Sequence, residues 1–138
     1  MKGLAKKAYA IAINQGPLAA PSRPRLCRDV ALSLNCSPSK TYLACALAHQ
    51  ACRKGFRAAY RRAPRLFDEL RLARADGTFP RVLARFARLD VLVVDDFAIA
   101  PITDTERRDL LEILEDRHGI RATIITSQLD PKHWHDYL

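Results

Sequence analysis

The nine residues Leu89-Asp90-Val91-Leu92-Val93-Val94-Asp95-Asp96-Phe97 constrain this chain more than any other stretch. Four apolar residues, three of them β-branched, run straight into two carboxylates. A continuous apolar run this short reads as a strand buried on both faces. Two acids at its end cannot stay buried without partners. They stand where a strand leaves its sheet, the place where α/β folds bind ligands. A core strand ending in a solvated acidic turn is the plainer reading of the same residues.

The rest of the chain must supply helices to cover such a strand. With 138 residues it is long enough for one domain with its own core. A hydrophobic content of 49% argues for a globular body. The net charge of +8 points to an acidic partner, nucleic acid first and a membrane surface second. No apolar run approaches the roughly 18 residues of a membrane span, so no spanning segment is expected, and of the two candidates nucleic acid, and no membrane, is taken as the partner. Cys27, Cys36, Cys45 and Cys52 form no CxxC pair and have no histidine at zinc-ligand spacing. Cys45 and Cys52 are expected to be small core residues in a reducing, cytoplasmic setting.

From Thr41 onward, strand and helix signals alternate. Thr41 to Arg53 reads as a helix with Leu43, Ala46, Leu47 and Ala51 on its apolar face and Gly55 at its C-terminal cap. Phe56 to Tyr60 reads as a short strand. Ala63 to Ala75 is predicted helical, with Pro64 in the first turn, Gly77 after the end, and Leu66, Phe67, Leu70, Leu72 and Ala73 inward. Pro80 opens another helix carrying Val82, Leu83, Phe86 and Leu89. Thr103 and Glu106 fit a capping box for a helix with Leu110, Leu111, Ile113 and Leu114. Ala122 to Thr126 reads as a buried strand, and Asp130-Pro131 as the start of a last helix. Upstream, Ala5 to Asn14 suggests a short helix, Gln15 to Arg25 a loop, and Arg28 to Leu34 a strand. We divide the chain into a poorly defined segment, 1–33, and an α/β core, 34–138. The alternation predicts a parallel sheet with helices on both faces.

A second feature gives the acidic pair a chemistry. Ser39-Lys40-Thr41 stands at the mouth of a predicted helix, after a predicted strand. Phosphate-binding loops place a lysine there to reach the outer phosphates and a hydroxyl to hold magnesium. In such sites one carboxylate on a later strand completes the metal site and an acid or amide positions the attacking water. Lysine-threonine at a helix start combined with Asp95-Asp96 at a strand end is more specific than either part alone.

Residues 40–138 resemble the IstB-like ATPases, transposition helper proteins of bacterial insertion sequences and AAA+ relatives of the DnaC helicase loader. The resemblance lies in KTYLACALAHQACRKGF, in LFDELRLARADGTFPRVLARFARLDVLVVDDF, in DLLEILEDRHG and in ATIITSQLDPKHWHDYL. It implies an incomplete P-loop, AAA+-like fold that takes ATP and Mg2+. It implies that Ser39, Lys40 and Thr41 bind the nucleotide and that Thr41 and Asp95 hold the metal. Asp96 would be the acid that orients water, and Ser127 or Gln128 the γ-phosphate sensor, with Gln128 taken as the catalytic one. The resemblance further implies DNA and a transposase as partners, and assembly into homo-oligomers.

The chain departs from that pattern in three ways. Its phosphate-loop segment has Leu34 and Ser39 where the pattern has glycine, and it gains Pro38. Glycine-only backbone forced on other residues costs about 1–3 kcal/mol each, and a lost N–H to a charged acceptor about 1.5–3 kcal/mol. Against about 8 kcal/mol for micromolar binding, this predicts ATP affinity weakened to millimolar or lost. The resemblance fades upstream of Lys40, where the family has an N-terminal domain. The chain stops at Leu138, before the family's last strand, arginine finger and lid. A remnant gene, frameshifted near codon 39, is the simplest expectation from these points. The alternative is a non-enzymatic basic α/β protein that binds DNA or a partner without nucleotide.

Two other groupings are weaker. Arg53, Lys54, Arg57, Arg61, Arg62 and Arg65 form a basic cluster around the second strand, either a DNA contact or a solvated face. His133 and His135 flank Trp134 without the further ligands a metal site needs. Arg121 precedes the last strand, and nothing in the sequence gives it a role in a neighbouring site.

Overall fold

In a computed structural model of the chain, residues 8–13, 31–34, 37–129 and Trp134 are described. The elements are β1 (Ala8–Ile13), β2 (Ala31–Leu34), α1 (Ser37–Arg53), β3 (Ala58–Arg62), α2 (Ala63–Ala75), α3 (Phe79–Ala87), β4 (Val91–Phe97), α4 (Asp104–Arg117) and β5 (Ala122–Ser127). Five strands form one sheet in the order β2-β1-β5-β4-β3. β3, β4 and β5 run parallel, as expected. β1 lies antiparallel to both β5 and β2.

Strand alternation sorts the core onto two faces. Val91 and Val93 of β4, with Ala122 and Ile124 of β5, pack under Ala44, Ala48 and Ala51 of α1. Leu92 and Val94, with Ile125, face the other way into a larger cluster with Leu66, Phe67 and Leu70 of α2, Leu83 and Phe86 of α3, and Leu110 and Ile113 of α4. Helices therefore cover both faces. No helix among the described residues is long and apolar enough to cross a membrane.

Several local expectations match. α2 spans Ala63–Ala75 with proline in its first turn. Gly55 and Gly77 follow α1 and α2 with positive φ, and Gly119, beyond those expectations, does the same after α4. The capping box is present: Thr103 accepts from the Glu106 backbone, and the Glu106 side chain accepts from the Thr103 N–H.

Other expectations are corrected. The stretch read as a helix over Ala5–Asn14 contains β1 instead. Its Ala-Tyr-Ala-Ile-Ala-Ile pattern alternates small with branched or aromatic residues, the period of a strand. α1 starts at Ser37, four positions before the predicted Thr41. Its buried face is Ala44, Ala48 and Ala51, whereas Ala46 and Leu47 are exposed. Cys45 and Cys52 are free and exposed, not core residues. Leu72 and Leu111 also point to solvent. β3 begins two residues later than predicted, because Arg57 is occupied at the sheet's lower end. Its carbonyl accepts from Asp90 N and Val91 N, and its N–H donates to the Asp90 carboxylate. The predicted helix at Asp130-Pro131, and His133 and His135, lie outside the described residues. Only Trp134 is seen there, helical and buried, donating from Nε1 to Leu129 O and standing edge-on to Phe97.

Candidate nucleotide and metal site

β4 delivers Asp95 and Asp96 at its C-terminal end, and alternation gives them different surroundings. Asp95 continues the Val91-Val93 row toward α1 and is 2% exposed. Three hydroxyls hold it. Thr41 Oγ1, in the first turns of α1, lies 3.1 and 3.0 Å from its two carboxylate oxygens. Tyr60 on β3 donates to Oδ2 at 2.5 Å. Thr126 on β5 donates to Oδ1. Burial pushes the Asp95 carboxyl up, but the bonds from Thr126, Tyr60 and Thr41 outweigh it and hold the group below its ordinary value. Tyr60 shifts the other way: burial first, then its bond to Asp95, raise the phenol above its usual range.

Asp96 is half-buried and has a φ of 56°, in the left-handed region. Its backbone N–H donates to Thr126 Oγ1 at 3.3 Å. Arg62, at the end of β3, donates from Nε and one terminal nitrogen to Asp96 Oδ2, at 2.9 and 2.6 Å. That hydrogen bond, and then the charge of Asp96, hold the Arg62 guanidinium above its ordinary value. Ala98, two residues on, also has positive φ, at 60°.

Lys40 is buried and lines the same small cleft as Thr41, Asp95, Asp96, Thr126, Ser127 and Gln128. The residues predicted from Lys40 to Gln128 therefore meet at one end of the sheet, although the chain separates them widely. Ser39 has its backbone in the first turn of α1. Ser127 is committed elsewhere: its hydroxyl donates to Phe97 O at 2.7 Å and accepts from Leu129 N at 3.0 Å. Gln128 is left as the polar side chain at the end of β5. The sequence reading missed Tyr60 and Thr126. Thr126 stands one residue before Ser127 and two before Gln128, the predicted sensor positions, and Tyr60 two residues before Arg62 on a strand parallel to β4.

The donor set suits a magnesium ion beside a phosphate. A carboxylate and a hydroxyl are hard oxygen ligands, and a lysine is a phosphate-seeking point charge. The approach to it differs from expectation. Among the described residues the non-glycine positive-φ positions are Asp96 and Ala98, so Ser39 is not forced into glycine backbone space. The chain avoids that strain by starting α1 at Ser37, which winds Ser37 to Ser39 into the helix. β2, which precedes α1, sits two strands from β5, roughly 10 Å across the sheet. The cleft among Lys40, Thr41 and Asp95 holds about 10 Å³.

The sequence profile of the family described as IstB-like ATP binding protein matches residues 25–138, starting well upstream of Lys40, where the resemblance was expected to fade. The chain belongs to this family. Among its relatives is a protein named for ATP binding in insertion sequence IS1162 of Pseudomonas fluorescens. It is 53% identical over 90 residues, covering 65% of this chain and 39% of that protein. The insertion-sequence protein y4pL of Sinorhizobium fredii, also named for ATP binding, is 48% identical over 106 residues, 75% of this chain and 43% of its own length. The chain thus spans about two fifths of these curated relatives. Its fold matches AMPPCP-bound DnaA from Aquifex aeolicus with a TM-score of 0.66 at 19% identity, over 74% of this chain and 32% of that one. This supports a P-loop, AAA+-like core that is incomplete beside the full DnaA chain.

Proposed function

We propose that this IstB-like chain is a magnesium-ATP-binding core of an insertion-sequence transposition helper, with weakened nucleotide affinity, and that it works with DNA and a transposase. The observation that carries the reading is the 3.0 Å contact between Thr41 at the start of α1 and Asp95 at the end of β4, with Lys40 buried beside them. Lys40 and Ser39 would take the phosphates, and Thr41 and Asp95 the magnesium. Asp96 would face the water and Gln128 the γ-phosphate. Bound ATP supplies a phosphoanhydride bond open to attack by water. The protein's part is to place charge and exclude competing contacts.

Two features support a weakened site rather than an efficient one. Pro38, in the first turn of α1, has no N–H, so one backbone donor fewer is free to surround a phosphate. Arg62 already engages one Asp96 oxygen. Dissociation constants near millimolar are expected, equivalent to about 4 kcal/mol of binding.

A second reading, a basic α/β protein that binds DNA without nucleotide, draws support from the hydroxyls that already occupy Asp95. Thermal melting with millimolar magnesium-ATP separates the two. The nucleotide reading expects a rise in melting temperature that Lys40→Ala abolishes. No shift at saturating ATP, or an equal shift in the Lys40→Ala protein, would leave the second reading in place.

A further inference from the structure

We propose that the exposed face formed by Arg81 and Arg85 of α3 and by Arg88, which caps its C-terminus, is a contact surface for the phosphate backbone of duplex DNA; it rests on the reading of DNA as a partner. The sequence directs attention elsewhere, to the six basic residues around β3. Folding neutralises half of that cluster. Arg57 pairs with Asp90, Arg61 with Glu69 and Arg62 with Asp96.

α3 is different. Gly77 to Leu89 contains three arginines and no acid. Leu83 and Phe86 are buried, with Val82 packed against the same core. Arg81, Arg85 and Arg88, spaced four and three apart, therefore emerge together, and all are exposed. The other exposed residues of α3 are Pro80, just before Arg81, and Ala84, both too small to hold a rigid polyanion away. Arg81 and Arg88 have no ion pair among the described residues. Arg85 reaches Glu69, which also serves Arg61, and lies over the Phe86 ring at 5.2 Å. Arg74 flanks the start of the helix, stacked on Phe79 and paired with Asp109.

Arg81 and Arg88 are separated by roughly 10 Å along the helix axis, about the axial rise of three base pairs of a duplex. A lipid surface fits less well. Membrane-surface helices back their basic face with a large apolar one free to insert, and the apolar face of α3 is already spent on the core.

The test is fluorescence anisotropy of a fluorescein-labelled, mixed-sequence duplex over a salt series. The triple variant Arg81→Ala, Arg85→Ala, Arg88→Ala should lower the slope of log affinity against log salt by about 2–3, and weaken binding at 0.1 M salt at least about tenfold. Three lysines at the same positions should keep the slope, because a phosphate contact needs charge more than fork geometry. The control Arg53→Ala, Lys54→Ala, Arg65→Ala removes the same charge from the cluster around β3 and should change the slope little. All three substitutions on this face are at exposed positions, and circular dichroism should show an unchanged melt. If the wild type binds and the α3 variant keeps the full slope, the surface assignment is wrong while the DNA reading stands. An equal loss in the control reduces the effect to bulk charge and overturns the assignment too. No binding by the wild type at the lowest salt defeats both readings. Stripe-dependent binding to phosphatidylserine vesicles without DNA binding gives the face to lipid and defeats the proposal.

Discussion

The two faces of the sheet are built differently. On one, α1 lies against the strands through Ala44, Ala48 and Ala51. On the other, α2, α3 and α4 bring leucines, phenylalanines and an isoleucine onto Leu92, Val94 and Ile125. Small side chains let the α1 backbone approach the sheet closely, and that approach puts Thr41 within hydrogen-bonding distance of Asp95. Among the described residues the opposite face holds the larger core cluster, each Å² of apolar surface buried there contributing roughly 25 cal/mol. The candidate site is thus assembled on the thinly packed face and supported by the thick one.

The largest effect that would break this contrast lies on the thick face. Arg117 is 1% exposed and donates to Phe86 O, Leu89 O, Ala122 O and Thr123 Oγ1, tying α4 to α3 and the start of β5. Burial, reinforced by Arg121 and opposed by Asp90, lowers its pKa to about 10, so it remains charged at neutral pH. Arg117→Ala strands those acceptors and should cost about 3–5 kcal/mol in urea unfolding. A loss under about 1 kcal/mol, the size of an ordinary substitution, would mean this face is not the support we describe.

On the thin face the expected change is smaller. Tyr60→Phe keeps the ring and removes one bond to the Asp95 carboxylate, for about 1.5 kcal/mol, the lower end for a charged acceptor. Equal or greater damage than Arg117→Ala would reverse the comparison.

The acid limb of stability sharpens the same point. The folded Asp95 carboxyl sits below its ordinary value, so its contribution is complete above the unfolded carboxylate range near pH 4 and is lost as pH falls through the lower folded value. Asp95→Asn should therefore flatten the unfolding-versus-pH curve below about pH 4, leaving any acid loss from Asp90 in place. An identical acid limb in wild type and variant would remove Asp95 from the account.

The smallest effect has the opposite sign. Ala98 holds a φ of 60°, which glycine adopts freely. Ala98→Gly should stabilise by about 0.5–1 kcal/mol, the strain relieved exceeding the entropy gained by the unfolded chain. Destabilisation on thermal or urea melting would show that the turn after β4 carries no such strain.

Legibility varied with the range of the physics involved. α2 and the Thr103–Glu106 box were readable to the residue, because proline, glycine and reciprocal capping act within a turn or two. β4 was readable because a run buried on both faces leaves no polar alternation to misread. The helix predicted over Ala5–Asn14 failed because alanine favours helix locally, while β1 takes its bonds from β2 and β5, far along the chain. The apolar face of α1 failed for a related reason. Leucine was expected inward, but a helix resting close on a sheet takes alanine there and turns Leu47 out. Lys40, Thr41, Asp95 and Asp96 were legible as residue types in a known order. Tyr60 and Thr126 were not, since nothing in a lone tyrosine or threonine announces which carboxylate it will meet.

The sequence alone determined the α/β class, the parallel strands β3, β4 and β5, the family, and the arrival of two acids at a strand end, because hydrophobic period and short-range turn chemistry are written in neighbouring residues. Only the tertiary structure decided that Asp95 is clasped by three hydroxyls while Asp96 is held by Arg62. The same holds for the antiparallel placement of β1 and for which arginines remain free after folding. Those outcomes depend on which elements become neighbours, and residues remote in the chain meet only when the sheet and its helices close around one core.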